Sequence, residues 1–290
     1  MEPDFFRIKP GVAFDLSALQ TDFTDGFKHK DEAKQAFDKN VKKLAELQEK
    51  LYASDKYALL IILQGMDASG KDGVIKNVMK GVNPQGCSVV PFKQPSSEEL
   101  DHDFLWRHQK ALPSRGQIGI FNRSHYEEVI VVKVHPEFLK SQKLPEQLLH
   151  DNDFWKKRYQ SINDWEQHLF ENGIITLKFF LHVSKEEQKV RFLQRIEKPN
   201  KRWKFSMNDV TERSFWENYM NAYQEALAAT STANSPWYVI PADKKWFTRL
   251  AVSEIIINRL EALELDFPNP GQALEAELAE AKQILLNEEN

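Results

Sequence analysis

The run Leu59 to Gly73, LLIILQGMDASGKDG, constrains the fold of this chain more than any other stretch. Its apolar residues Leu59, Leu60, Ile61, Ile62 and Leu63 stop at a loop carrying Gly65, Gly70 and Lys71. Buried strand, glycine loop and helix start follow in the order of the G-x-x-x-x-G-K pattern that cradles phosphates. Glycines let successive backbone N–H groups turn inward, and the helix N-terminus adds partial positive charge. Gly65, Ala68, Ser69, Gly70, Lys71, Asp72 and Gly73 are therefore expected to hold phosphate, with Lys71 reaching terminal oxygens as a point charge. Asp72 stands where Ser or Thr ordinarily offers a hydroxyl to a metal ion, and Asp67 places a carboxylate inside the loop.

The rest of the chain alternates strand-like and helix-like segments. Ala33, Phe37, Val41, Leu44, Leu47 and Leu51 recur at helical spacing over 31–53. Further strands are expected at Ser88–Phe92, Gln117–Phe121, Ile174–Val183 and Trp237–Ile240. Helices are expected from the loop to about Met79, over Glu98–Ala111, in the polar region between Pro145 and Gly173, and from about Lys244 to Leu263. Alternation of this kind implies a parallel sheet covered on both faces. No repeat or linker divides the chain. One domain over 1–290 is expected, with an irregular arm over 1–30 and a terminal amphipathic helix over about 272–290.

A second polar group follows the third strand. GIFNRSHYEE (119–128) delivers Asn122, Arg123, Ser124 and His125 to a strand's carboxyl end, where open α/β sheets bind ligands. Arg123 suits a cation that steadies a migrating phosphoryl group, and a metal site here would lean on Asp67, Glu127 or Glu128. His125 is read as a hydrogen-bonding structural residue. Farther on, Lys185–Lys204 carries eight basic against three acidic residues in a chain of net charge −4. Taken alone this is a solvated helix face; beside a phosphate loop it reads as a lid closing cations over phosphates, bent at Pro199 and Asn200.

That overall charge argues against a general nucleic-acid binder, so any polyanion site must be a local basic patch. Cys87 is the only cysteine, which excludes a disulfide framework and points to a reducing compartment, most simply the cytoplasm. Cys87 itself reads as a small hydrophobe near a strand. No apolar run approaches the roughly 18 residues of a membrane span. Lys93, Arg107 and Asp243–Lys245 lie at loop ends where a nucleotide could sit, and Arg107 could equally pair with Asp101 or Asp103. Trp203 and Phe205 could stack on a base or simply pack, whereas Trp155, Trp165 and Phe170 read as core or interface.

Several long motifs in fixed order make the chain resemble the polyphosphate kinase 2 family: GMDASGKDG (65–73), FKQPSSEELDHDFLWR (92–107), FNRSHYEE (121–128), RIEKPNKRWKFSMNDVTERSFWENY (195–219) and PWYVIPADKKWFTRL (236–250). The resemblance implies an α/β fold, a three-layer α/β/α P-loop kinase sandwich with parallel sheet, thymidylate-kinase-like, with a helical lid over about 185–215. It implies Mg2+-dependent phosphoryl transfer between inorganic polyphosphate and adenine nucleotides. The family's loop Asp and Lys fall on Asp67 and Lys71, its strand-end Arg on Arg123, and its lid cations on Arg195, Lys201, Arg202 and Lys204, with Lys198 beside them. Where the family's commoner motif reads Asp-Arg-Ser-Trp-Tyr-Asn, this chain has Asn122, His125 and Glu127 in place of Asp, Trp and Asn. That combination resembles the class III branch, whose members phosphorylate both AMP and ADP. Asp67, Lys71, Arg123 and Glu127 are then the expected catalytic group, Asp67 and Glu127 the metal ligands, and Lys93, Arg107 and Asn122 the nucleotide contacts. A homo-oligomer, dimer or tetramer, is expected, the apolar positions of the 31–53 and 272–286 helices being open to core or interface.

Two rivals rank lower. An ATP-dependent nucleoside or nucleotide monophosphate kinase shares the fold and loop, but Asp67 with Asp72 and the dense lid cations favour a polyphosphate donor. A non-catalytic nucleotide or polyphosphate-binding protein would leave either the lid cations and Arg123 or the glycine loop without a role.

Overall fold

The computed structural model describes residues 2–288. Five parallel strands form one sheet: β1 (Ala58–Gln64), β2 (Cys87–Pro91), β3 (Ile118–Asn122), β4 (Ile174–His182) and β5 (Trp237–Pro241), in spatial order β2-β3-β1-β4-β5. All five match the strands expected from sequence to within two residues at each end. β1 is central and buried at every position, as its unbroken apolar run requires of a strand covered on both faces. It pairs Leu59 with Ile118 on one side and with Ile175 on the other. From β1 the chain crosses first to β2 and β3 and later to β4 and β5. The carboxyl end of β1 is therefore the switch point of the sheet, where a crevice opens.

Among the described residues there are seven longer helices: α1 (Lys30–Ser54), α2 (Lys71–Val78), α3 (Phe154–Glu171), α4 (Lys185–Glu197), α5 (Trp216–Thr230), α6 (Lys245–Glu261) and α7 (Gly271–Leu286). Helices α1, α2 and α6 pack together, while α3 packs on β4 and α5. The apolar stripe of α1 serves the core through Leu44, Leu47 and Leu51. Helix α7, by contrast, is exposed along its whole length, leaving Leu274, Leu278 and Leu285 uncovered. The expected arm covers the β5 edge: Arg7 bridges to Tyr238, and Ile8 N–H donates to the Trp237 carbonyl at 2.9 Å. Such cover removes an otherwise open sheet edge.

Two expectations need correction. Glu98–Ala111 is two short helices, Ser97–Leu100 and Trp106–Gln109. The Asp103 carboxylate accepts from Leu105 N–H at 2.9 Å, and this turn interrupts the helix. Likewise Asp151 accepts from Asp153 N–H at 2.8 Å, dividing the polar region after Pro145 into Glu146–Leu149 and α3. Glu127 and Glu128 lie in a tight 3₁₀ turn, His125–Glu128.

One buried ion pair fixes α3 to the sheet. Lys178 Nζ on β4 meets Glu166 Oε2 at 2.5 Å, the Tyr126 hydroxyl at 2.9 Å and the Thr230 carbonyl at 2.7 Å. Tyr126 donates in turn to Glu166 Oε1 at 2.8 Å. Burial pushes the Glu166 carboxyl up, but Lys178 and His125 outweigh it and hold it below the usual carboxylate range. His125 is fully buried beside Glu166 and Trp165, which leaves it no path to a ligand. Removing one charge strands the other in the interior. Glu166→Gln is expected to lower stability by about 3–5 kcal/mol. Chemical denaturation checks this, and pairing the change with Lys178→Met should recover part of the loss.

Candidate functional site

The loop after β1 is shaped by contacts only certain residues permit. Gly65 has φ +144°, and a Cβ there would come 2.8 Å from the Leu181 carbonyl oxygen on β4. The loop thus runs flush against β4 before it turns. Ala68 (φ 61°) and Gly70 (φ 118°) complete the reversal into α2. Ala68 has no glycine freedom, and its left-handed backbone costs on the order of 1–2 kcal/mol. Lys71 turns its ammonium back onto the Gly65 carbonyl at 2.6 Å and the Met66 carbonyl at 3.2 Å.

Arg123, at the end of β3, is also left-handed (φ 66°), a conformation of the kind stored at functional sites. Its Nη2 donates to Asp67 Oδ1 at 2.5 Å and its Nη1 to Glu127 Oε2 at 3.0 Å. One guanidinium thereby gathers the loop carboxylate and the turn carboxylate expected from sequence. Glu127 and then Asp67 push the Arg123 pKa further up, so its charge is fixed. Asp72 accepts from Asn122 Nδ2 at 3.0 Å and from Lys204 Nζ at 2.9 Å, joining β3, the loop and the 3₁₀ segment Pro199–Lys204. Burial pushes the Asp72 carboxyl up, but its bonds from Lys204 and Asn122 prevail and hold it below the usual range.

These groups open onto a cleft of about 710 Å³ lined by nine basic and three acidic side chains. The bases are Lys71, Lys93, Arg123, Arg191, Arg195, Lys201, Lys204, Lys245 and Arg249; the acids are Asp67, Asp72 and Asp209. Arg195 is held by Asp209 at 3.0 Å. Asp209 is raised above the usual carboxylate range by burial and by Asp67. Burial and the Arg123 charge lower the Lys71 pKa to about 8; burial and Arg191 do the same to Lys245.

The structure sets some of the expected residues off the cleft and brings others to it. Arg107 does not line the cleft; it pairs with Glu99 at 3.1 Å, not with Asp101 or Asp103, and donates to the Lys93 carbonyl at 2.7 Å. Asp101 is taken by Lys143. Lys198 and Arg202 also stand off the cleft. Lys201 and Lys204 fall three apart on one side of a 3₁₀ turn, while Arg202 points back to the Ile196 carbonyl at 2.9 Å. Trp203 lines the cleft yet is 78% exposed, and Phe205 is exposed outside it. Glu127 does not line the cleft; it stands behind Arg123 and is joined to the site by the bond it accepts from Arg123. Arg249 and Asp209 went unremarked; Arg249 is one helical turn past Lys245 on α6, a spacing that would have disclosed it.

A parallel sheet whose central strand ends in a glycine loop, beneath a cleft of cations, has the P-loop kinase-like build, in which phosphates sit at the switch point. The sequence profile described as Polyphosphate kinase 2 matches residues 27–268, and the chain belongs to that family. It is 48% identical over 281 residues to the ADP-polyphosphate phosphotransferase of Rhodopseudomonas palustris, covering 97% of each chain. It is 42% identical over 271 residues to the AMP/ADP-polyphosphate phosphotransferase of Meiothermus ruber, covering 93% of this chain and 97% of the relative. The crystal structure of polyphosphate kinase 2 from Arthrobacter aurescens superposes with a TM-score of 0.88 at 38% identity, covering 98% of this chain and 97% of that one. Among the described residues no helix is long and apolar enough to cross a membrane.

The lowered lysines give the site a pH signature. An anion favours the protonated ammonium, so binding raises these pKa values from about 8 and takes up protons. Polyphosphate affinity is therefore expected to fall as pH rises through about 8. Calorimetry in two buffers of different ionisation enthalpy measures the uptake; pH-independent binding without it would contradict the assignment.

Proposed function

We propose that this protein transfers a phosphoryl group from inorganic polyphosphate to AMP and to ADP, giving ADP and ATP. The observation that carries the reading is the cleft itself, where nine bases face three acids in a chain of net charge −4. A phosphoanhydride chain brings about one negative charge per phosphate, and rows of Lys and Arg are its natural receptor. The names of the Rhodopseudomonas and Meiothermus relatives support the same substrates.

In this reading a phosphate oxygen of the nucleotide attacks the terminal phosphorus of the polyphosphate. A new P–O bond forms as the donor's terminal anhydride breaks, and the shortened chain leaves with the bonding electron pair. The attacking oxygen is already anionic, so no strong general base is needed. Catalysis reduces to positioning and charge stabilisation. Lys71 and the backbone amides of the loop hold phosphate at the transfer point. Arg123, kept in place by Asp67 and Glu127, faces the migrating group. Arg195, Lys201 and Lys204 hold the donor chain, the region about 185–215 serving as the lid. Lys93 and Asn122, at the ends of β2 and β3, stand on the nucleotide side.

Mg2+ fits as the cofactor. Asp67 and Glu127 each spend one oxygen on Arg123, leaving hard oxygen donors beside the loop. Among the described residues no group of three or more His, Cys, Asp or Glu gathers, so substrate phosphates would complete the shell, as is usual for Mg2+. When bound, the ion supplies charge neutralisation across neighbouring phosphates. The uncovered leucines of α7 support a homo-oligomer, and the lone Cys87 supports a reducing compartment such as the cytoplasm.

The test supplies long-chain polyphosphate as sole donor, with AMP or ADP and Mg2+. ATP is expected from both acceptors. Lys71→Ala should lower the rate by about 10²–10³-fold, the range for removing a charge-stabilising group. ADP as the only accepted nucleotide would narrow the substrate assignment. Turnover with ATP but none with polyphosphate would overturn it.

A further inference from the structure

Arg191, on α4, lines the cleft, and its place in the basic run makes it look like one more phosphate contact. Its bonds say otherwise. Nε donates to Glu187 Oε1 at 2.8 Å. Nη1 donates to the Ala68 carbonyl at 2.8 Å and the Ser69 carbonyl at 2.7 Å. Nη2 donates to the Ala242 carbonyl at 2.5 Å and the Asp243 carbonyl at 3.0 Å. A guanidinium has five N–H donors in a fixed plane, and here each has an acceptor. The side chain is 4% exposed, so no proton is left for a phosphate oxygen.

The four carbonyls belong to two different loops. Ala68 and Ser69 form the crest of the phosphate loop, where Ala68 holds its unfavourable left-handed backbone. Ala242 and Asp243 form the loop that leaves β5 and leads to Lys245 and Arg249 on α6. A trans peptide points its C=O and N–H in opposite directions. With the Ser69 carbonyl drawn onto Arg191, the Gly70 N–H is turned away from the guanidinium, at the mouth of α2. Glu187, one turn back on α4, fixes the fork from behind. Neighbouring Gln188 adds a bond from its Nε2 to the Asp67 carbonyl at 3.0 Å.

We infer that Arg191 is a positioning residue: a clamp that sets the phosphate loop against the β5 loop and orients the loop peptides for phosphate, without touching substrate. This inference rests on the phosphoryl-transfer reading for its kinetic consequence, but the clamp itself is testable without turnover. Lysine keeps the charge of Arg191 but replaces a planar fork of five donors by a point with three, which cannot span both loops. A phosphate contact would tolerate that change; a clamp would not.

The experiment compares Arg191→Lys, Arg191→Gln and the milder Glu187→Gln by amide hydrogen exchange and by kinetics. Exchange at residues 66–72 and 242–245 is expected to quicken in all three, least in Glu187→Gln, while the β1 and β4 amides stay protected. With polyphosphate and ADP, kcat should fall by about 10–100-fold in Arg191→Lys and Arg191→Gln alike, the scale at which a small misplacement acts. KM for polyphosphate should change less than kcat, and in a fourth variant, Arg191→Ala, added guanidinium ion should restore part of the rate. Unchanged loop exchange in Glu187→Gln and Arg191→Lys would overturn the clamp whatever the enzyme's substrate. So would an Arg191→Lys enzyme with wild-type kcat, or a loss confined to KM for polyphosphate. Quickened exchange in an enzyme that does not use polyphosphate would retain the clamp and refute the substrate assignment instead.

Discussion

Cations crowded together without their anion repel one another, and the site is organised around that constraint. Five of the nine bases at the cleft are steadied by something local. Arg123 spans two carboxylates, Arg195 has Asp209, Lys204 has Asp72, and Arg191 is spent on four carbonyls and Glu187. Lys71 rests on two carbonyls of its own loop, and burial weakens its hold on its proton. The polypeptide thus builds a receptor for dense negative charge and uses a few carboxylates and many backbone dipoles to keep it folded before any substrate arrives.

The sheet makes this arrangement possible by bringing strand ends into one plane. β1 supplies the glycine loop, β3 supplies Asn122 and Arg123, and the segments after β4 and β5 supply Arg195 and Lys245. Beneath them the Glu166–Lys178 pair ties α3 to the sheet, and Tyr126 and His125 sit against it. The turn that carries Glu127 is therefore anchored from below through Tyr126. Left-handed backbone at Ala68 and Arg123 is sustained because neighbouring bonds hold both residues.

Much of this was legible in the sequence, and the pattern of misses has physical causes. Parallel strands buried on both faces write themselves as apolar runs, so β1 and β4 could be read to within a residue or two. The loop was legible because glycine spacing and Lys71 encode its shape. Helix interruption at 101–105 and 151–153 was not, because one Asp side chain capping a backbone N–H two residues on leaves little trace in periodicity. Composition identified the basic run as important but could not sort it. Which of its cations face the cleft depends on the change from α-helical to 3₁₀ winding after Lys198, which brings Lys201 and Lys204 inward and sends Arg202 back along the chain. Asp209 comes from a short helix whose facing direction only the assembled fold reveals, whereas Arg249 follows Lys245 at a helical spacing already present in the sequence.

The contact between Lys204 and Asp72 carries a consequence for substrate traffic. The Pro199–Lys204 segment and the loop after β1 are already joined by this ion pair, so in the proposed function an incoming phosphate would not fill free space but would trade places with a carboxylate. In the proposed function, affinity is then a difference between two similar interactions, which a single phosphate barely wins. A chain of many phosphates wins repeatedly along the cleft. In that reading, exchange of this kind would hold a long polymer through its length while letting a short product slip off its last position.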